Sequence, residues 1–549
     1  MQERTRVNQN LLRAKTGSRD LAAYMEAEGQ FAMEISMSQN SQTAAFDAGA
    51  TPSGSTGVAG GKTIHIPELE KLELPKMDPA SMFKHFGPGL LLMMTGIGTS
   101  HLVTAPVAGS QFGYALLWSV LVAFVIKYYG FQMSFRFTNA TGMSIMDAMC
   151  TTKGKWAIWY VLAITIAQCA IGQASRVIAA AAVLYFLFTE HFGWGLALWH
   201  YGLFVGVSSV ALVLSGQYKT LETVTKVFVI LLVLTTMFVF FWNPPPLSDL
   251  SFFIAPHPEF GYVPPGSLIF LAAFLGLLPT GLDVALQSSE WGKAKKSGMP
   301  MLRKTLEENG AAGKFDSFNP RMEDLTVHVN KLSPHAQEYC RRWFRIGNMD
   351  FAFGHWVSFV IASIFMILAV MYLYPSEIRG SAIMGELARM FTESIGPGMM
   401  YVFIVGALAA CYSTALNYYD GWPRVVGACC RNLFRKTAEL SGIEDPSPEA
   451  KKSLASEYNI WRMTVLYSLV ASCVIIYGFE RPVVLVLVAS AMTLVFSPIL
   501  FYYMFKFCLQ VIPKEDKIYY PSSLVRNFVW LCLALFTAAT LLVIYVRFF

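Results

Sequence analysis

About eleven apolar runs, each roughly 20 residues or longer, recur along this chain, and each can cross a hydrocarbon core of about 30 Å as a helix. They fall near 87–111, 114–137, 157–188, 199–216, 221–242, 265–291, 346–374, 395–430, 461–480, 483–510 and 524–548. The runs are continuous rather than alternating, so helices fit them and barrel strands do not. Composition agrees: of 549 residues 54% are hydrophobic and only 14% charged, against about 25% charged in a soluble domain. The expected fold class is an all-α, multi-pass membrane protein embedded in a lipid bilayer.

Basic residues set the expected orientation. The connection over 292–345 carries Lys293, Lys295, Lys296, Arg303, Lys304, Arg341, Arg342 and Arg345 among others, and the one after the eighth run carries Arg431, Arg435, Lys436, Lys451 and Lys452. The positive-inside rule places both in the cytoplasm with the N-terminus inside, an odd number of spans then leaves the C-terminus outside, and a plasma (inner) membrane is the expected location. The net charge of +6 then reads as topology and not as nucleic-acid binding. Residues 1–80 are rich in Ser, Gly, Ala and Thr without an apolar period, as in "SQNSQTAAFDAGATPSGSTGVAGGK", and are expected to be a disordered cytoplasmic tail with no signal peptide. Residues 84–548 form the membrane domain, and 292–345 is expected as a soluble loop inserted between the sixth and seventh helices. Its His328, His335 and Cys340 lack metal-finger spacing. The nine cysteines are expected to be free thiols.

Two of the runs are interrupted at their centres. "MMTGIGTSHLVTAP", 93–106, places Gly98, Thr99, Ser100 and His101 in the first run, and Leu278, Pro279, Thr280 and Gly281 interrupt the sixth. Non-helical backbone at membrane depth is tolerated only against protein or a watery cavity, so these interruptions predict discontinuous helices lining a substrate path. Proline removes a backbone donor and glycine loosens the turn. Five runs separate the two interruptions, which predicts inverted five-helix repeats with broken first and sixth helices.

The stretch "GPGLLLMMTGIGTSHLVTAPVAGSQFGYALLWS" resembles the first span of the Nramp divalent-metal transporters. Gly87, Pro88 and Gly89 open it, and Ala108, Gly109, Phe112, Gly113, Tyr114, Leu116, Leu117 and Trp118 close it at the family's interval. The resemblance runs more weakly through "SGQYKTLETVTK" and the sixth run, covers about residues 84–548, and implies the LeuT-like fold of the amino-acid and sodium symporters. It departs from the family at the ligands. Where the family reads Asp-Pro-Gly-Asn, this chain has Gly98, Thr99, Ser100 and His101; where it reads Met-Pro-His, this chain has Leu278, Pro279 and Thr280. A carboxylate and a thioether favour dehydrated manganese or iron, so that selectivity is not expected here.

The remaining polar residues have two readings each. Asp283 is either the cavity charge that draws a cation or, with Thr280, a capping pair for the second half-helix. His101 is either a metal ligand or proton shuttle, or a neutral imidazole bonded to freed carbonyls. Gln168 is a candidate cavity wall, and Arg176 either neutralises a carboxylate or snorkels. In "YSTALNYYDGWPRVVG", Asn417 and Asp420 are candidates for a coupling-ion or proton relay, Asp420 and Arg424 can instead pair at i, i+4, and Pro423 is expected to kink or end the helix.

The expected substrate-binding set is Gly98, Thr99, Ser100, His101, Gln168, Leu278, Thr280 and Asp283, with His101 and Asp283 as the metal-ligating pair. The expected function is secondary transport of a small cation, such as magnesium, by alternating access, with a proton or sodium ion as coupling partner. An organic solute such as an amino acid is the alternative cargo, and a non-transporting membrane sensor the alternative role. No phosphate loop, nucleophile elbow or hydrolase motif suggests an enzyme, and no cofactor is called for.

Overall fold

A computed structural model describes residues 64–548 except 243, 255, 257–262 and 379–382. The expected tail over 1–63 lies outside the described residues, as does the side chain of Thr99. The first apolar run forms α1 (Pro88–Gly96) and α2 (Ala105–Phe112), joined by a π-helical stretch at Ile97–Thr104. The second is α3 (Leu117–Thr141). The third is α4 (Trp156–Ala167) and α5 (Gln173–Tyr185), joined by a π-helical stretch at Gln168–Gly172. Then follow α6 (Leu198–Trp242), α7 (Leu268–Leu277), α8 (Val284–Ala294) and α9 (Met299–Glu308). The chain continues through α10 (Pro334–Leu373), α11 (Ile383–Thr392), α12 (Met399–Leu433), α13 (Glu457–Gly478), α14 (Pro482–Val511) and α15 (Ser523–Phe548).

Among the described residues, eight helical runs are long and apolar enough to cross a membrane. The expected first and second segments share one of these, and the fifth and sixth correspond to the shorter apolar helices Lys226–Trp242 and Leu268–Leu277. The expected fourth and fifth segments form the single helical run α6, but that run is bent. Tyr412 donates to the Ser208 hydroxyl at 2.9 Å, and its ring lies 5.9 Å from that of Phe228. Twenty residues of straight helix would separate those positions by about 30 Å, too far for these three side chains to bridge.

The core forms around α12, which packs against α5, α6 and α13, while α10 packs against α1, α2 and α3. The helix α12 continues through Pro423 instead of ending there. A proline costs one backbone hydrogen bond, and close packing on several neighbours holds the helix across that loss. The Gly-Pro-Gly opening of α1 has a mechanical reason. Asp350 of α10 accepts the amides of Gly87 and Gly89 on Oδ2 (3.0 and 2.8 Å) and that of Leu90 on Oδ1 (3.1 Å), a carboxylate set against a helix N-terminus. A Cβ at Gly89 would lie 2.4 Å from the Asp350 carbonyl carbon, so only glycine allows this approach.

Order begins earlier than the expected tail boundary at 80. Ile64 donates its amide to Lys331 at 2.8 Å, and Ile66 and Leu69 are buried. His335 pairs with the Leu72 carbonyl at 2.9 Å, so 64–72 dock on the 292–345 connection. All nine cysteines are free.

Candidate functional site

The sixth run is broken as expected. After α7 the chain is non-helical from Leu278 to Asp283 and resumes as α8. The first run is interrupted differently: its helix widens into π-helix over Ile97–Thr104 and does not unwind. The difference follows from proline. Pro279 cannot donate to the helix and blocks its continuation, whereas residues 96–105 all keep their amides and can shift register to i→i+5 bonding.

The two interruptions touch. The Ser100 hydroxyl lies 2.6 Å from the Gly96 carbonyl and 3.4 Å from that of Pro279. A Cβ on Gly96 would sit 1.7 Å from the Pro279 oxygen. The widened helix also gives His101 its partners. Its Nδ1 lies 3.1 Å from the Gly96 carbonyl and 2.8 Å from Ser100 Oγ, and its Nε2 lies 2.7 Å from Ser358 Oγ. A carbonyl can only accept, so the bond to Gly96 takes a proton from Nδ1, and Nε2 pairs with the Ser358 hydroxyl. This is the geometry of an imidazole bonded to a freed carbonyl.

Gly98, which stands where the resemblance places an aspartate, faces α12 with no room for a side chain. Its amide donates to Thr414 Oγ1 at 3.0 Å, and Cys411 Sγ lies 3.2 Å from its carbonyl. A Cβ there would meet Thr414 Oγ1 at 2.5 Å and the Ala410 carbonyl oxygen at 2.8 Å. Helix α12 itself fills the position.

Around the sixth break, Thr280 bonds Tyr418 at 2.8 Å, and Asp283 Oδ2 accepts from the Trp422 indole at 2.9 Å. Neither makes a capping bond to α8, so the expected capping pair does not form. Two rings from α12 take its place. Arg176 does not snorkel, and among the described residues it forms no ion pair with a carboxylate. It is buried, lies over the rings of Tyr418 and Trp422 at 4.5 and 5.2 Å, and donates to the Gly172 carbonyl at 2.9 Å. Gln168 reaches Thr493 Oγ1 on α14 at 2.9 Å, and its Oε1 is buried without a partner. Leu278 is fully buried.

His101 and Asp283 share no hydrogen-bond partner, and among the described residues no three His, Cys, Asp or Glu side chains gather as metal ligands. The eighth-run candidates diverge. Asn417 lies 3.5 Å from the Leu91 carbonyl on α1, while Asp420 accepts from the Trp291 indole (2.8 Å) and Arg424 Nε (2.5 Å). Arg424 also lies 2.7 Å from Glu444, so a structural pair with Arg424 does form.

Sequence reasoning missed three residues at this centre. Lys127 reaches the sixth break from α3; a lysine inside "LVAFVIKYYG" is the signal, since a charge in a membrane segment is costly. Ser358 on α10 holds His101. Gln287 on α8 is buried with both side-chain polar atoms unpartnered, and nothing in an isolated glutamine announces that. At the end of the bundle that carries the 292–345 connection, Arg431 of α12 meets Asp147 (3.1 Å), Glu290 of α8 (3.5 Å) and Glu457 of α13, and Lys293 lies 3.4 Å from Asp147. Burial alone would raise the Asp147 pKa, but Lys293, Arg431, the Ser144 amide and Asn432 outweigh it and hold the carboxyl below its ordinary range.

The chain is similar to known proteins along most of its length. Mutant forms of the manganese transporter of Eremococcus coleocola superpose with a TM-score of 0.60 at 13% identity, over 86% of this chain and 88% of theirs. An uncharacterized protein of Pasteurella multocida (strain Pm70) is 21% identical over 417 residues, 73% of this chain and 79% of that one. Residues 89–546 match the family described as natural resistance-associated macrophage protein-like. With a match that spans nearly the whole of the helical bundle, the chain belongs to the Nramp family.

Proposed function

We propose that this protein is a secondary transporter that moves a small cation, still carrying much of its water, by alternating access about the break at Leu278–Asp283. The observation that carries this reading is Asp283, the one carboxylate at either interruption, lying where the chain leaves helical geometry. Membership of the Nramp family and the manganese transport named for the Eremococcus protein support a cationic cargo. The filled position at Gly98 and the alkyl group of Leu278 argue against a dehydrated transition metal. Magnesium dehydrates reluctantly and is commonly held through one or two carboxylates with several waters kept. Asp283, with the Thr280 hydroxyl and the free Oε1 of Gln168, supplies donors of that hard kind.

A second reading rests on Arg176. A buried guanidinium over two aromatic faces, with the unpartnered Oε1 of Gln168 and the unpartnered amide of Gln287, also suits an organic solute that carries both charges, such as an amino acid. Purified protein in liposomes, offered magnesium, manganese and a mixture of amino acids, separates the two. The first reading expects magnesium uptake with no preference for manganese. Amino-acid uptake without divalent-ion uptake would establish the second, and no uptake of any would return the sensor role.

A further inference from the structure

Lys127 is fully buried on α3, and its ammonium spends all three protons on backbone oxygens of the broken sixth helix. It lies 3.0 Å from the Leu275 carbonyl, 3.1 Å from that of Gly276 and 2.5 Å from that of Thr280. Leu275 and Gly276 belong to the last turn of α7, and Thr280 to the unwound chain beyond it. The last carbonyls of a helix have no partner within it and carry the negative end of its dipole. Three such oxygens converging on one point form a site for a monovalent cation, the kind of site that unwound half-helices offer to dissociable ions. Here the ion is covalently attached.

We propose that Lys127 is a built-in cation that occupies a monovalent-cation site at the sixth-helix break, so that the break is held without any sodium or potassium ion from solution. Three features support it. An ammonium has three donors and no acceptor, which matches three carbonyls with none left over. The side chain makes no ion pair within 4 Å among the described residues, so its role is toward the backbone and not toward a carboxylate. Asp283, at the far end of the same break, bonds the Trp422 indole at 2.9 Å instead, so the carboxylate and the ammonium keep separate partners. In the transport reading, on which this consequence rests, Lys127 is a positioning residue: it fixes the end of α7 and touches no cargo.

The test is the thermal unfolding of the purified full chain in choline, sodium, potassium or ammonium chloride at one ionic strength. The wild type is expected to unfold at the same temperature in all four. Lys127→Ala removes the ammonium and leaves the carbonyls facing an empty volume; it is expected to unfold lower in choline and to recover by about 2–4 °C or more in ammonium. Lys127→Met fills the volume without charge and is expected to show no ammonium response. A wild type stabilised specifically by sodium or potassium, or a Lys127→Ala variant indifferent to the four salts, overturns the proposal. If Lys127→Ala does not fold, the wild-type series still decides whether a free ion is needed. In liposomes, wild-type uptake is expected to be unchanged when choline replaces sodium, and Lys127→Ala uptake to fall at least tenfold and return in part with ammonium. Absence of wild-type uptake would count against the transport reading alone, since the thermal series needs no cargo.

Discussion

Gly98→Asp, which restores the aspartate that the Nramp pattern places in the first break, is expected to give a protein that does not fold stably, not a manganese site. The first carbon of any side chain at Gly98 would lie 2.5 Å from Thr414 Oγ1 and 2.8 Å from the Ala410 carbonyl oxygen. Ala410 is backbone in the middle of α12, so relief requires the whole helix to move. Overpacking of a tight core costs about 1–3 kcal/mol even when side chains can yield, and a buried, unpaired carboxylate adds several more. Gly98→Ala isolates the steric part and is expected to lower the unfolding temperature by less. Detergent-solubilised yield and fluorescence-detected size exclusion of both variants check this. A well-folded Gly98→Asp protein that binds manganese would show that α12 leaves room after all.

Arg431→Gln should be nearly as damaging. Arg431 is the shared partner of Asp147, Glu290 and Glu457, all with side chains no more than 7% exposed. Removing one partner from a buried ionic network typically costs about 3–5 kcal/mol, because the remaining charges stay buried without compensation. The sign with pH follows. In the wild type the Asp147 carboxyl is held below its ordinary value, so its stabilisation is complete above the unfolded pKa of about 3.9 and is lost only as pH falls through the lowered value. In the variant Asp147 keeps Lys293 as its one cationic partner and binds protons more readily, so its penalty eases as pH falls. The gap in unfolding temperature between wild type and Arg431→Gln is therefore expected to be wide at pH 7.5 and narrower at pH 5.

The helical bundle was legible because apolar runs of membrane length announce themselves without any tertiary information. The sixth break was legible for the same reason that it exists: Pro279 lacks an amide. The first interruption was legible in place but not in kind, since glycine, serine and threonine weaken an α-helix without forbidding a π-helix. The details of the site were not legible because they come from other helices. Thr280 and Asp283 have the spacing of a capping pair, but the Tyr418 hydroxyl and the Trp422 indole reach them from α12. Gly98 reads as a lost ligand in the sequence and as a helix contact in space. The bend in α6 and the docking of 64–72 likewise depend on partners distant in the chain.

The role of Asp283 in transport is tested most directly by time-resolved magnesium uptake into liposomes carrying the wild type, Asp283→Asn or Asp283→Ser. Asparagine keeps an oxygen for the Trp422 indole and removes the charge, so folding should persist with a loss of about 1 kcal/mol or less. The account predicts that wild-type liposomes take up magnesium and that both variants, folded by size exclusion, lose at least tenfold. Wild-type rates in both variants would contradict it, for the cargo would then cross the sixth break without using the carboxylate there.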